Sequence, residues 1–346
     1  MSRTLNRKRT AFIATSAAIG LALTGCAAGN GGDEGDKAAS TTTLTFATSF
    51  TDDHPHNRCG SFVIRDAINE QTDLGLKIDV FTNSQLGPDT ERFEALKSGD
   101  IDLDLQGPSA LSSMYPEIGV IDTAYAFDGA DHAFEFFDSG AADELTDGLL
   151  EATGYRTLEP FFFGMRNFSA NSAIRTPEDL AALQMRFPDS PQFLMNAEAV
   201  GATAVAVAFE EIYVALQQGI VDGQENPIPT VKSMSLDEVQ THVNLSEHQT
   251  GVQLLLVNDD TWQSLTDEQR DALTEAAADA RQQDYDCIVE AEQAIIDEWE
   301  ETGAVTVVKD VDKAAFANKA ESYFMNKYTG ERLEFYKAIR ESAPSN

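Results

Sequence analysis

Residues 209–227 read FEEIYVALQQGIVDGQENP and predict a helix, a glycine cap and a strand in that order. The helix is expected over 210–218, and Gly219 suits the left-handed position that ends many helices. The same order stands earlier in the chain, where ALKSGDID at 95–102 matches ALQQGIVD at 215–222. A match this short can arise by chance. Together with the elements around it, however, it predicts two lobes built from similar α/β units.

Strands and helices alternate on both sides of that segment. The first part of the chain predicts a strand at 44–49, a helix at about 59–70, a strand at 76–81, a helix at 88–98 and a strand at 101–105. The second part predicts a short helix at 177–180, a strand at 183–187 and a strand at 202–209. Alternation of this kind favours parallel sheets with helices packed against them.

A long helix is predicted near the C-terminus. Thr266 and Gln269 have the spacing of a capping box, and Gly303 suits the C-terminal cap. Apolar residues keep helical spacing over 267–301, a stretch of ~52 Å at 1.5 Å per residue. Because one lobe is rarely that wide, we expect this helix to span both lobes.

Composition excludes several classes of function. The chain has 346 residues, with 24 Lys and Arg against 58 Asp and Glu, and a formal net charge of −34. Nucleic-acid binding is excluded because a phosphate backbone requires a basic face. A length of this size suggests two domains, and 42% hydrophobic residues suffice for real cores.

The N-terminus has the pattern of a secretory signal peptide. Four basic residues precede an uncharged, largely apolar run over 10–25, and small residues then lead to Cys26. We expect 1–25 to be a lipoprotein signal peptide, Cys26 the site of lipid attachment, and 26–43 a flexible tether. The alternative is a plainly secreted protein in which Cys26 is incidental.

Cys59 and Cys287 remain, and in an oxidising compartment they form either a disulfide or two buried free thiols. His54 and His56 are a close histidine pair that could hold a metal, although a polar loop before the next helix is the simpler interpretation. The sequence contains neither a phosphate-binding glycine loop nor a nucleophile elbow. We therefore expect no catalytic residue, no metal and no cofactor, and the chain is not predicted to be an enzyme.

Several motifs carry a resemblance to a known family. They are GMR at 164–166, TPEDL at 176–180, MRFP at 185–188, GA at 201–202, the opening segment 209–227, and upstream NSQLG at 83–87, YPE at 115–117 and GV at 119–120. In this order and spacing, from about residue 44 to 281, the chain resembles the solute receptors of tripartite ATP-independent periplasmic (TRAP) transporters, the DctP-type family.

The resemblance implies a two-lobed α/β fold like that of the class II periplasmic binding proteins. A cleft would lie between the lobes, and the long C-terminal helix would span both. Lobe I is expected to comprise 44–163 plus 252–290, and lobe II 164–251 plus 291–346. The cleft would close around an organic acid.

Arg186 resembles the arginine that clamps the ligand carboxylate in this family. It ends a predicted strand just before Pro188, and ligands of open α/β sheets sit at such strand ends. Its guanidinium matches a carboxylate with two parallel hydrogen bonds, whereas the simpler alternative is a surface pair with Asp189. By the same resemblance, Arg166 is a second cleft arginine that binds ligand or orients Arg186, and Asn226 contacts the carboxylate or a nearby hydroxyl.

Other candidate positions follow from the resemblance with less support from the residues themselves. They are Phe209 as an apolar wall, Ser49, Asp89 and Gln106 in the first lobe, and His248 at the cleft edge. Gly107 stands where sialic-acid-binding relatives have a carboxylate, which argues against sialic acid as the ligand. Tyr213 and Leu216 are expected to pack in the core.

These features predict an extracytoplasmic, lipid-anchored receptor that delivers a small organic acid to a TRAP membrane permease. We expect a monomer, located at the outer face of the cell membrane or in the periplasm. Sugar acids such as uronates or aldonates are favoured over C4-dicarboxylates because polar candidates predominate in the first lobe. A sensor that presents the same acid to a receptor kinase is the rival interpretation.

Overall fold

The computed structural model of the protein describes residues 41–343, and the predicted signal peptide, Cys26 and most of the predicted tether lie outside that range. Its strands form a single mixed sheet in the order β2-β1-β3-β8-β4-β7-β5-β6, with β9 beside β8. The strands are β1 (Thr42–Ala47), β2 (Leu76–Phe81), β3 (Leu103–Gln106), β4 (Tyr155–Ala170), β5 (Gln184–Phe187), β6 (Thr203–Ala206), β7 (Gly223–Pro227), β8 (His242–Asn258) and β9 (Thr306–Val308).

Helices cover both faces of this sheet. They are α1 (Phe62–Glu70), α2 (Asp89–Ser98), α3 (Pro108–Leu111), α4 (Ala130–Asp138), α5 (Asp143–Thr153), α6 (Pro177–Leu180), α7 (Pro191–Val200), α8 (Ile212–Gln217), α9 (Ile228–Ser233), α10 (Asp259–Ser264), α11 (Asp267–Thr302), α12 (Lys313–Lys327) and α13 (Glu331–Glu341). A π-helical turn, His56–Ser61, precedes α1, and short 3₁₀ turns lie at Thr72–Leu74, Pro116–Asp122, Phe209–Glu211 and Leu236–Glu238. Among the residues that the structure describes, none of the helices combines the length and apolar character that crossing a membrane requires.

Two long strands join the two halves of the sheet. Strands β4 and β8 pair antiparallel from Tyr155 opposite Asn258 to Ala170 opposite His242. One end of this ribbon carries β3, β1 and β2, which form the first lobe, and the other carries β7, β5 and β6, which form the second. The sheet is therefore mixed rather than wholly parallel, because the strands that cross between the lobes run in opposite directions.

The ribbon changes register where it passes from one lobe to the other. A shift lies between Phe162 and Gly164, and Gly164 faces Gly251 across the two strands. A Cβ atom on Gly251 would lie 2.8 Å from the Gly164 carbonyl oxygen, so only glycine allows this approach. The register shift lies next to 163/164 and 251/252, where the lobe boundaries are predicted, and the division itself stays a prediction. However, α13 contacts the first lobe, where the Ile339 carbonyl lies 2.7 Å from Nε2 of His132.

Helix α11 confirms the predicted long C-terminal helix. Its capping box between Thr266 and Gln269 is formed, and Gly303 ends it in the left-handed conformation with φ of 67°. The helix contacts α1, β4, α9 and β9, and β4 meets its middle, where Tyr285 packs on Phe162, so it packs against both lobes. Leu216 lies in the buried core of the second lobe and Tyr213 packs against it, as expected.

Candidate functional site

A cavity of about 540 Å³ lies between the two lobes. Both lobes and the β4 crossing strand contribute to its wall. Seven of the eight predicted ligand-contacting residues line it: Ser49, Asp89, Gln106, Arg166, Arg186, Phe209 and Asn226. The structure therefore brings together side chains that are as far as 177 positions apart, Ser49 and Asn226.

Arg186 lies at the end of β5, where Pro188 prevents continuation of the strand. The side chain is fully buried in the cavity wall. Its Nε donates to the Val207 carbonyl at 2.9 Å, and its Nη1 is a buried donor with no partner among the described residues. Burial lowers the pKa of Arg186 to about 10 although Glu225 opposes that shift, so the guanidinium is still charged at neutral pH.

Arg166 is also buried, but a carboxylate already neutralises it. Its Nε donates to Glu225 Oε2 at 2.5 Å and its Nη2 to Glu225 Oε1 at 2.7 Å. Burial by itself would raise the pKa of Glu225, but Arg166 and His248 outweigh burial and hold that pKa below its ordinary value. Arg186, by contrast, has no carboxylate within ion-pair distance among the described residues. The two arginines are thus chemically different.

Asn226 connects this ion pair to the cavity. Its Oδ1 accepts from Arg166 Nη2 at 3.0 Å, and its Nδ2 donates to Gln224 Oε1 at 2.6 Å. An amide has two donor hydrogens and two acceptor lone pairs, so one of each is still available to a ligand. The side chain is buried and its orientation is fixed before any ligand arrives.

The wall of the first lobe is built around a buried arginine, Arg92, that no sequence motif indicates. Arg92 Nη2 donates to Asp89 Oδ1 at 2.9 Å and Nε donates to Asp104 Oδ2 at 3.1 Å. Ser49 Oγ donates to the same Asp89 oxygen at 2.9 Å, and Gln106 Nε2 donates to Asp104 at 2.9 Å. Burial raises the pKa of Asp104 to about 6 although Arg92 opposes the shift. Acceptor groups on this wall are therefore fixed in place.

The structure does not bring His248 to the cavity, so the expected ligand contact at this residue is not supported. The imidazole is buried and stacks on Phe168, with 4.0 Å between ring centroids and 4° between planes. Its Nε2 lies 3.4 Å from Glu225 Oε2, and its Nδ1 lies 2.8 Å from Ser246 Oγ. The position supports a role behind the wall, where His248 helps to hold Glu225.

Several lining residues were not predicted. Phe50, Phe163 and Phe193 supply apolar surface, and Asp122 and Gln253 add polar groups. Asp122 Oδ2 accepts from the Ser109 amide at 2.7 Å, and burial raises the pKa of Asp122 to about 6. Three of these residues adjoin predicted segments: Phe50 follows the strand at 44–49, Asp122 follows the GV at 119–120, and Phe163 precedes the GMR at 164–166.

The histidine pair and the cysteines lie behind the first-lobe wall. Cys59 and Cys287 are disulfide-bonded, with 6.4 Å between their Cα atoms. His56 Nδ1 lies 2.9 Å from Asp284 Oδ1 on α11, and both side chains are fully buried. Within residues 41–343 no group of three or more His, Cys, Asp or Glu side chains is arranged to hold a metal ion. His54 and His56 thus pack in the interior, and the His56 amide, at the start of the π-helical turn, donates to Nδ1 of His54 at 3.2 Å.

The chain matches a known protein family over most of its length. Residues 53–330 match the family described as bacterial extracellular solute-binding protein, family 7, named DctP. The chain belongs to this family. Its members are solute receptors rather than enzymes, which confirms both the resemblance and the expectation that the chain is not an enzyme.

Individual members of family 7 are similar over most of the chain. A solute-binding protein of Roseobacter denitrificans is 30% identical over 250 residues, which is 72% of this chain and 76% of the relative. The 2,3-diketo-L-gulonate-binding periplasmic protein YiaO of Escherichia coli is 29% identical over 282 residues, covering 81% of this chain and 84% of the relative.

Solved structures confirm the two-lobed fold. The crystal structure of a TRAP periplasmic solute-binding protein from Roseobacter denitrificans with bound L-galactonate has a TM-score of 0.80 and 26% identity. The similarity covers 87% of this chain and 99% of the Roseobacter chain. TRAP solute-binding proteins are periplasmic, so the coarse prediction of an extracytoplasmic protein is supported.

Proposed function

We propose that the protein is a TRAP solute receptor for a small hydroxylated monocarboxylic acid, such as an aldonate or a uronate. The observation that carries this proposal is Arg186, a buried guanidinium that faces a cavity of about 540 Å³ with a donor unpaired among the described residues. A buried charge without a partner is costly, so a ligand carboxylate that pairs with it gains more than it would at a solvated arginine.

Arg186 is the clamp and Arg166 is its support. A carboxylate at Arg186 can accept two parallel hydrogen bonds from the guanidinium. Arg166 already gives Nε and Nη2 to Glu225, so it adds little net attraction for a second anion. Its hydrogen bond to Asn226 instead orients the amide next to the bound carboxylate.

The rest of the cavity favours hydroxyl groups over a second carboxylate. The first-lobe wall presents Asp89 and Gln106, and the carboxyl group of Asp122 also lines the cavity. Hydroxyls can donate to these oxygens, whereas a second carboxylate would meet like charge. The bound L-galactonate of the Roseobacter structure and the ligand named for YiaO are both hydroxylated acids, which supports this assignment. Phe209 and the other aromatic residues would pack on the carbon chain.

Location and partners belong to the same proposal. Lipid attachment at Cys26 would anchor the receptor outside the cytoplasmic membrane, and a tether over 26–43 would let it reach the permease subunits as a monomer. The lobe division at 163/164 and 251/252 would allow the cleft to open and close around β4 and β8. A sensor role would use the same cavity, and a histidine kinase gene beside this gene would favour it.

A thermal-shift screen of acids tests the proposal. L-galactonate, D-glucuronate and succinate are compared, each up to millimolar concentration. A ligand at 100 times its Kd stabilises by ~2.7 kcal/mol, which is about 4 °C for a chain of about 300 ordered residues. We expect the sugar acids to raise the melting temperature and succinate to have little effect. If succinate alone raises it, the ligand is a dicarboxylate and the hydroxyl assignment of the first-lobe wall is wrong.

A further inference from the structure

The turn between β2 and α2 has an unusual backbone. Asn83 and Ser84 are consecutive non-glycine residues in the left-handed region, with φ of 53° and 51°. For Ser this conformation is uncommon, because its Cβ crowds the following carbonyl. The turn belongs to the NSQLG segment at 83–87, whose side chains do not line the cavity. Neither the fold nor the carboxylate site explains why this segment takes such a shape.

Backbone hydrogen bonds attach the turn to the cavity wall. The Asn83 amide donates to the Phe50 carbonyl at 2.7 Å, and the Ser84 amide donates to the Thr48 carbonyl at 3.1 Å. Residues 48 and 50 flank Ser49, which lines the cavity. The position of Ser84 is therefore coupled to the first-lobe wall.

Ser84 reaches across the cleft to the second lobe. Its Oγ donates to Oε1 of Glu210 at 2.7 Å, although the two residues are 126 positions apart. Glu210 follows β6 in the 3₁₀ turn Phe209–Glu211, is exposed to solvent and also lines the cavity. A residue that is both exposed and part of the lining lies at the mouth, so this hydrogen bond bridges the two lobes where the cleft meets solvent.

A contact at the mouth responds to lobe motion more than contacts near the crossing strands do. If the lobes rotate about the β4–β8 ribbon, atoms far from that ribbon separate by the largest distance. The bond from Ser84 to Glu210 must then break when the cleft opens. A charge-assisted bond of this kind contributes to the closed state only.

We propose that Ser84 is a positioning residue that holds the cleft closed over bound solute by donating to Glu210. The inference rests on the proposed receptor function and adds to it a determinant of how long the solute stays bound. The left-handed turn is needed because it directs the Ser84 hydroxyl toward the second lobe. Ser84 itself is not a ligand contact.

Dissociation kinetics test the latch. L-galactonate is bound to wild type and to Ser84→Ala, and its release is followed by stopped-flow fluorescence. We expect release from Ser84→Ala to be about tenfold faster, with an unchanged association rate and an unchanged melting temperature of the free protein. Ser98→Ala is the matched control, because Ser98 is an exposed serine of the same lobe that bonds only to Ala95 and Asp100.

A double-mutant cycle separates the latch from the charge of Glu210. Glu210→Ala removes both the acceptor and a negative charge that acts on Arg186, so its own effect mixes two causes. In the Glu210→Ala background, Ser84→Ala should change release by less than twofold. The proposal is overturned if Ser84→Ala releases solute as slowly as wild type, or if it accelerates release equally in both backgrounds.

Crosslinking with and without solute keeps the latch separate from the proposed function. The full chain carrying Ser84→Cys and Glu210→Cys is treated with a short bis-maleimide in the presence and absence of L-galactonate, and the linked peptides are mapped by mass spectrometry. The latch predicts a more efficient link between these two positions when L-galactonate is bound, and the single variants serve as controls. If L-galactonate binds but does not increase the link, the latch is overturned and the receptor proposal stands; if no acid binds to wild type, the receptor proposal fails and the latch that rests on it fails with it.

Discussion

Replacing Glu225 with Gln tests the difference between the two cavity arginines. Glu225 is fully buried and holds Arg166 with bonds of 2.5 and 2.7 Å. Glutamine keeps the size of the side chain but removes its charge. Arg166 would then be a second buried cation in the same cavity as Arg186, and the two would repel each other.

The magnitude follows from the burial. Removing one partner of a buried ion pair costs about 3–5 kcal/mol, because the other charge is left uncompensated. The described part of the chain has about 300 residues, which gives an unfolding entropy of ~0.6 kcal/mol per kelvin. The melting temperature of Glu225→Gln should therefore fall by roughly 5–8 °C. An anionic ligand should recover part of this loss of stability, since it neutralises the unpaired positive charge in the cavity.

Differential scanning calorimetry of the free protein is the assay. Glu334→Gln is the matched control, because Glu334 pairs with Lys337 on the surface and such pairs contribute only about 0–1 kcal/mol. A second run with saturating L-galactonate should show a larger ligand-induced shift for Glu225→Gln than for wild type. If Glu225→Gln melts within 1 °C of wild type, Arg166 is not held as a compensated charge and our distinction between the arginines is refuted.

Three further predictions concern other parts of the molecule. Burial raises the pKa of Asp122 to about 6, so the folded state binds that proton more tightly and the contribution of Asp122 to stability is lost as pH rises from about 4 to 6. Asp122→Asn should remove this contribution in denaturation measured at each pH, and an unchanged dependence on pH would contradict the assignment. Replacing both Cys59 and Cys287 with Ser opens a loop of 228 residues, which costs about 5 kcal/mol by loop entropy. The melting temperature in calorimetry should therefore fall by roughly 8 °C, and a fall under 1 °C would count against the disulfide. Cys26→Ser should move the protein from the membrane fraction to the soluble fraction, whereas wild type found wholly in the medium would exclude the anchor.

Local signals predicted many of the short elements, although α4, α5, α7, α12 and α13 are not among them. The capping box at Thr266 and the glycine caps at Gly219 and Gly303 are read from neighbouring residues, and each marks a helix end that the structure contains. These signals depend on backbone chemistry within a few residues. They can therefore be recognised without knowledge of tertiary contacts.

The long crossing strands were not predicted as strands. Along β4 the burial changes from half-buried over 156–159 to almost continuously buried beyond Pro160, so no period of two persists. Its partner β8 lies some 90 residues away in the chain, and their pairing depends on both lobes being in place. Patterns of single elements do not contain this information, which explains why the sheet was expected to be parallel.

Cavity residues that belong to a recognisable motif could be predicted from the sequence, whereas residues distinguished only by their burial could not. Arg186 and Asn226 occupy recognisable positions near the ends of the short strands β5 and β7 and line the cavity. Glu225 and Asp104, by contrast, are two of 58 acidic residues, and nothing local distinguishes a buried partner from a solvated one. The family resemblance alone predicts His248 at the cleft edge, whereas the structure stacks it on Phe168 behind the wall.

Calorimetric titration of wild type and Arg186→Ala with an acid and its neutral amide tests the central claim most directly. The ligands are L-galactonate and L-galactonamide, which share the open carbon chain and all hydroxyls and differ in the charge of the carboxyl group. We predict that wild type prefers the acid by at least a hundredfold and that Arg186→Ala loses about 2–5 kcal/mol, or roughly 30- to 4000-fold, for the acid alone. Arg186→Lys should recover only part of this loss, since an ammonium lacks the planar pair of donors. The account is contradicted if folded Arg186→Ala binds the acid within threefold of wild type, or if Arg166→Ala alone abolishes binding.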